Sequence, residues 1–261
     1  MTNLVAVDNQ HHRAIKIDLS KRELHGETLH SIPVVLSEFT HVALQYPIVL
    51  TKNVDTGQFV FVALFGFEFG ENLFFQEKQW QGFYLPLQLR RQPFFVGDPA
   101  KNSDIETHNN DYVICIDNDS PTIVVENSLA AMDDIIVENS QRLFDDNGLD
   151  SAYFKETKAC LAELLRGETD NKLLLENLQA FDLLTSMSLA ITFENNTSTR
   201  LNGLYTIDQE KLSKLSNEQV LALHKLGLLP SIYTQINSLG QINALIELKN
   251  QQLRSTSPVS E

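Results

Sequence analysis

The hydrophobic period changes once along this chain, and that change constrains the fold more than any other feature. Between residues 58 and 69 the chain alternates: Phe59, Phe61, Ala63, Phe65, Phe67 and Phe69 share one face, while Val60, Val62 and Leu64 occupy the other. A two-residue period belongs to a strand, and apolar residues on both faces predict a central strand covered on each side. After Ser151 the spacing lengthens to three and four. Ala152, Phe154, Thr157, Leu161, Leu164 and Leu165 fit one helix. Leu174, Leu178, Phe181 and Leu184 fit a second over 173–187, with Gly167 as the break between the two. Strands first and helices after predict an α+β fold, a mainly antiparallel sheet in the N-terminal half packed by helices of the C-terminal half.

Turn and cap residues add detail. Residues 1–30 read as a polar arm with short apolar alternations (Leu4, Val5, Val7, then Ile15, Ile17, Leu19) suited to edge strands. Ser37 can cap a short helix that must end before Pro47. Strands are expected at 48–51, 73–75 and 112–117, the last pairing with 122–125 across a turn. Residues 84–95 read as a short helix ended by Pro93 and followed by a strand. A second hairpin is expected from 189–193 and 203–207 around Asn195-Asn196, and further helices at 208–214, 216–226 and 238–253. Ser216, with Glu218 and Gln219 behind it, has the form of a helix N-terminus. We expect one domain over residues 1–254 and a frayed tail at 255–261.

Charge narrows the partners. Lys and Arg number 20 against 34 Asp and Glu, a net charge of −14. Such a surface repels phosphate backbones and anionic membranes, and the single basic doublet Arg90-Arg91 is too short for a nucleic-acid groove. Thirteen of the acids fall between Asp98 and Asp150, opposed only by Lys101 and Arg142; they read as solvated loops and a polar helix face. A docking surface for a basic partner, or weak divalent-cation sites, is the sharper reading of the same run. No stretch of 18 apolar residues spans a membrane. The N-terminus lacks a charged n-region with an apolar core behind it, so a cytoplasmic protein is expected. Cys115 and Cys160 stand 45 apart with no C-x-x-C and are expected as reduced core thiols.

Motifs for chemistry are sparse. There is no G-x-G-x-x-G, G-x-x-x-x-G-K-[ST], G-x-S-x-G or H-E-x-x-H. His25 and Glu27 form an H-x-E that His41 or His108 would complete as a two-His, one-carboxylate iron set, but seven histidines make such triplets common by chance. Phe144 to Asp150 departs from a calcium loop, because Leu143 stands where the first Asp is required; a turn with Gly148 at positive φ accounts for the run. Glu38 and Glu71 are acids flanked by apolar segments, each without an identifiable partner. Residues 59–95 carry ten Phe plus Trp80 and Tyr84, read first as sheet core. Loops at the ends of these strands gather the candidate ligand-binding residues Tyr46, Glu71, Asn72, Trp80, Tyr84, Arg90 and Arg91, around Gly66 and Gly70. In that set an arginine would hold a carboxylate and the aromatics would supply flat apolar contact. No cofactor and no metal are expected.

Particular stretches carry a family resemblance. Ile32-Pro33-Val34-Val35 leads to Glu38-Phe39 and Tyr46-Pro47-Ile48-Val49; Ala63-Leu64-Phe65-Gly66 leads to Gly70-Glu71-Asn72-Leu73-Phe74. Tyr84-Leu85-Pro86 precedes Leu89-Arg90-Arg91, Pro93-Phe94 and Cys115-Ile116-Asp117. Later come Leu143-Phe144-Asp145, Leu201-Asn202-Gly203-Leu204-Tyr205-Thr206-Ile207-Asp208, and Leu226-Gly227-Leu228-Leu229-Pro230-Ser231-Ile232-Tyr233. In these runs the chain resembles the SapC family of bacterial proteins over residues 30–250. The resemblance implies an accessory or binding protein of surface-layer or outer-membrane uptake systems, with a protein or peptide partner. It supplies no catalytic residue set. The alternative is a non-haem-iron or partner-dependent modifying enzyme.

Overall fold

The computed structural model describes residues 3–97, 112–125 and 139–256. In chain order the strands are β1 (Leu4–Ala6), β2 (Ile15–Asp18), β3 (Ser31–Pro33), β4 (Ile48–Lys52), β5 (Phe59–Leu64), β6 (Phe75–Gln76), β7 (Gln79–Trp80), β8 (Phe94–Gly97), β9 (Val113–Asp117), β10 (Ile123–Val125), β11 (Ser140–Arg142), β12 (Leu184–Thr192) and β13 (Ser198–Ile207). The α-helices are α1 (Phe39–Val42), α2 (Leu87–Arg90), α3 (Ala152–Ala180), α4 (Gln209–Ser213), α5 (Asn217–Lys225), α6 (Leu229–Ser238) and α7 (Gln241–Thr256). Every strand pairing is antiparallel, so the fold is α+β. The chain forms two compact units: Met1–His25 with Leu87–Leu164, and Gly26–Pro86 with Leu165–Glu261.

The first unit holds two three-stranded sheets, ordered β1-β9-β8 and β10-β2-β11. Ile17, Phe94, Ile116, Leu143, Phe144, Phe154 and Leu161 form its core. Strands β9 and β10 do not pair with each other, contrary to the expected hairpin: β9 lies between β1 and β8, and β10 joins β2. Backbone bonds to distant segments decide this, since Asn118 donates to Asn3 and Asp18 to Thr122. Strand β2 is thereby central rather than an edge, and Ile17 and Asp18 are fully buried. Gly148 has φ +78, the expected left-handed turn, and Asp145 Oδ1 accepts from the N–H groups of Asn147 and Leu149. Both cysteines are buried, as expected of core thiols. Most of the acid-rich run lies outside the described residues.

The second unit is built on the sheet β12-β13-β4-β5-β3. Strand β5 lies between β4 and β3, as its two apolar faces require, but it ends at Leu64. The chain turns away because Gly66 lies directly against the Glu71 backbone: a Cβ there would fall 2.6 Å from the Glu71 carbonyl oxygen. Phe65 and Phe67 stay buried, whereas Phe69 faces solvent, correcting its assignment to the core. Of the expected 73–75 strand only Phe75 pairs, in the two-stranded ribbon β6-β7.

Strands β4 and β13 meet only at Tyr205 and Leu50. Where they part, helix α6 supplies the missing partners. Buried Gln235 donates to the Ile48 carbonyl at 2.8 Å, and Ser238 Oγ accepts from the Ile48 N–H at 2.9 Å. Pro230 opens this helix, which the sequence reading passed over; at the first turn its missing N–H costs nothing.

Helix α3 runs through Gly167 without a break and stops at Ala180, seven residues before the expected end. Asp182 adopts φ +52 and Leu183 donates back to the Leu178 carbonyl, a left-handed stop that turns 184–187 into strand. Gly167 is there for packing, since a Cβ would lie 2.5 Å from Val35 Cβ. Four residues on, Asn171 brackets the same segment, accepting from Leu36 N–H at 2.9 Å and donating to the Val34 carbonyl at 2.8 Å.

Candidate functional site

Tyr46, Trp80 and Tyr84 come together in the second unit. The Tyr46 ring, fully buried, meets Phe65 and Phe74 edge-on at 5.2 and 4.7 Å. Its hydroxyl donates to the Tyr84 carbonyl at 2.7 Å and accepts from the Trp80 indole N–H at 3.1 Å. Burial pushes the phenol well above its ordinary range. Trp80 reaches this position through a tight reversal at Glu77 and Lys78, both left-handed, whose backbone twist suits a two-residue hairpin. The indole stacks on Phe74 at 6.4 Å and meets Phe65 edge-on at 5.1 Å.

The loop after Trp80 is fastened along its length. Gly82 crosses the Tyr46–Trp80 hydrogen bond so closely that a Cβ would fall 2.0 Å from the phenol oxygen, a space only glycine leaves open. Gln81 N–H donates to the Phe74 carbonyl and Phe83 N–H to Gln45 Oε1, each at 2.7 Å. The Tyr84 hydroxyl donates to Glu38 Oε2 at 3.0 Å, and the His41 imidazole stacks on the Tyr84 ring at 5.3 Å. Glu38 is buried, and its Oε1 accepts from Val35 N–H at 3.2 Å. Both carboxylate oxygens therefore hold partners, as a buried acid requires. On this fixed frame Phe83 is 99% exposed; Leu44, just past α1, is 77% exposed, and His41 also faces solvent.

The remaining candidates take other places. Asn72 is buried, accepting from Phe74 N–H at 2.9 Å and donating to the Gly26 carbonyl at 2.7 Å. Glu71 Oε2 accepts from Phe67 N–H at 2.8 Å, while its Oε1 pairs with Lys249, both side chains being 12% exposed. These bonds hold the 70–74 turn under the aromatic cluster.

Arg90 and Arg91 belong to the first unit. Arg90 is exposed, and its carbonyl accepts from Arg22. Arg91 donates from Nε to Gln88 and from Nη1 to the Phe94 carbonyl, and lies over the Phe95 ring at 4.2 Å. His25 pairs with Ser120 Oγ at 3.2 Å, and burial lowers its pKa. His108, the other candidate iron ligand, lies outside the described residues. Among the described residues no three His, Cys, Asp or Glu side chains gather as a metal cluster.

Glu38 finds its partner in Tyr84, and His41, a candidate iron ligand in the sequence, stacks on the same ring; Gln45, Gly82 and Lys249 carry no signal in the sequence. Glu38 and Tyr84 are 46 positions apart, and no local pattern announces their bond.

A family model described as SapC matches residues 7–245, nearly the whole chain. The chain belongs to the SapC family. No curated protein and no solved structure matches it. Of the SapC stretches read from the sequence, Glu38-Phe39, Tyr46-Pro47, Gly70-Glu71-Asn72 and Tyr84-Leu85-Pro86 all contribute to the network around Tyr46 or to its supporting turn.

Proposed function

We propose that this SapC-family protein is a cytoplasmic accessory protein of a surface-layer or outer-membrane uptake system, and that it works by binding a protein or peptide partner. Its contact surface is the fastened loop around Phe83, with Leu44 and the His41–Tyr84 stack beside it. The observation that carries this reading is the contrast between the two ends of the loop. Tyr46, Trp80, Tyr84 and Glu38 fix its base by four hydrogen bonds, while Phe83 is presented almost wholly to solvent. An aromatic residue carried bare on a fastened backbone is the form of a binding anchor, because the loop's ordering entropy is already lost before the partner arrives.

Affinity capture from the native host tests it. Tagged wild-type protein is compared with a Phe83→Ser/Leu44→Ser variant, both first shown to share melting temperature and Trp80 emission. A specific protein or peptide retained by the wild type and lost from the variant is the expected outcome. The same partner held equally by both places the contact elsewhere and overturns the reading.

A further inference from the structure

We propose that β12 is the seam of a homodimer, in which two copies of this chain pair antiparallel, edge to edge, about a two-fold axis through Ser188. Among the described residues the strand ends its sheet and pairs only with β13. Among the described residues, no hydrogen bond reaches the backbone of Leu184–Thr192 from any element besides β13. One row of N–H and C=O groups along this nine-residue strand thus has no hydrogen-bond partner among the described residues, a template for another strand.

The other open edges of this sheet are blunted and β12 is not. Strand β3 has three residues and ends in Pro33. Beyond Tyr205, β13 carries a bulge, in which Asn202 and Gly203 together face Ser188 and Gly203 takes φ +76. Strand β12 reads Leu-Thr-Ser-Met-Ser-Leu-Ala-Ile-Thr, with no charge, no proline and no extra residue. These are the devices that keep edges from pairing, and all three are missing from it.

Its pattern also fits a second copy of itself. Pairing about Ser188 sets Met187 against Leu189 and Thr185 against Ile191 on the inner face; on the outer face Ser186 meets Ala190 and Ser188 meets itself. Met187 and Leu189 are only half-buried in the single chain, and a neighbouring strand would cover them. For a chain of net charge −14, a strand without a single acid is where two copies can approach without repulsion.

Sedimentation and disulfide trapping test the register. Wild-type protein at about 100 µM should sediment as a dimer. Under oxidation Ser188→Cys should yield a covalent dimer on a non-reducing gel, since residues facing each other across antiparallel strands lie within disulfide reach. Thr192→Cys should not, because two copies of that position would stand about 27 Å apart along the seam. Ser188→Lys, which sets like charges on the axis, should weaken the dimer several-fold with unchanged circular dichroism, whereas Ser188→Ala, which loses the same Arg200 and Asn202 hydrogen bonds without adding a charge, should not. A monomeric wild type overturns the proposal. So does a dimer that Ser188→Cys fails to trap, or one that both cysteine variants trap equally; a monomer that instead captures an extended peptide through β12 overturns it too, assigning the edge to another occupant.

Discussion

Replacing Gly167 with alanine sets helix propensity directly against packing. In an exposed helix interior Gly→Ala stabilises by about 1 kcal/mol. Here the added Cβ would stand 2.5 Å from Val35 Cβ and 2.8 Å from one of its γ-carbons, where carbon atoms rest about 3.5–4.0 Å apart. The helix or the 34–36 segment must yield by about 1 Å, an overpacking cost of about 1–3 kcal/mol. Asn171 lies on the same face one turn later, so that movement also stretches its two backbone hydrogen bonds, each worth about 1 kcal/mol. The net expectation is a loss of about 1–3 kcal/mol, or a fall in melting temperature of about 2–4 °C for each kcal/mol. Thermal unfolding followed by circular dichroism measures it, with Glu168→Ala at the adjacent exposed position staying within about 0.5 kcal/mol of wild type. The decisive readout is the double-mutant cycle. Val35→Gly removes the β-carbon and both γ-carbons that the new methyl group would strike, so the two changes together should cost less than the sum of each alone. A raised melting temperature for Gly167→Ala, or strictly additive costs, refutes the close approach.

Two further perturbations bear on the polar interior. Burial raises the phenols of Tyr46 and Tyr153, so the folded chain keeps those protons longer than the unfolded chain does. Their stabilisation is complete below the unfolded value of 10.0 and is lost as pH rises through the folded values. In an alkaline titration read at 295 nm both should ionise only with unfolding, and Tyr46→Phe should remove one phenol from that late step; reversible ionisation of all six tyrosines in folded protein contradicts this. Gln235→Leu should cost about 1–3 kcal/mol by stripping the Ile48 carbonyl of its closest donor, and a neutral urea-unfolding result would mean that Ser238 or water replaces it.

Features legible in the sequence are those whose cause is local. The two-residue period of 59–64 becomes β5, and the cap at Ser216 forms as read, with Gln219 N–H donating to Ser216 Oγ and Ser216 N–H to Gln219 Oε1. Gly148 at positive φ and the start of α4 at Asp208 are of the same kind. Misread features depend on partners far along the chain. Gly167 reads as a helix break because glycine ordinarily is one; here Val35, 132 positions away, makes glycine the residue that fits. The pairing of 112–117 with 122–125 failed because a short connection permits a hairpin without requiring it, and β1, β2 and β8 competed for the same edges. Leu184 and Met187 satisfy a helical spacing and a strand equally well. Only the left-handed Asp182 decides between them.

At the site, residue types were legible and their division of labour was not. The phenylalanines in alternation look alike in sequence, yet Phe61 and Phe65 are wholly buried while Phe69 is 95% exposed. The same ambiguity hides Phe83, an aromatic in an aromatic-rich stretch, until Gly82 and the Tyr46–Trp80 pair are seen to hold its loop outward. The arrangement has an energetic logic. An exposed phenylalanine forgoes about 1.5–3 kcal/mol of burial, and a loop free to move would recover part of it by folding the ring inward. Here the loop cannot move without breaking the bonds of Tyr46, Tyr84 and Glu38 to one another and to the backbone, each of which leaves a buried polar group unpaired at about 1–3 kcal/mol. The cost of collapse exceeds its gain. Among the described residues nothing covers Phe83, and the buried network beneath it is what keeps its loop turned outward.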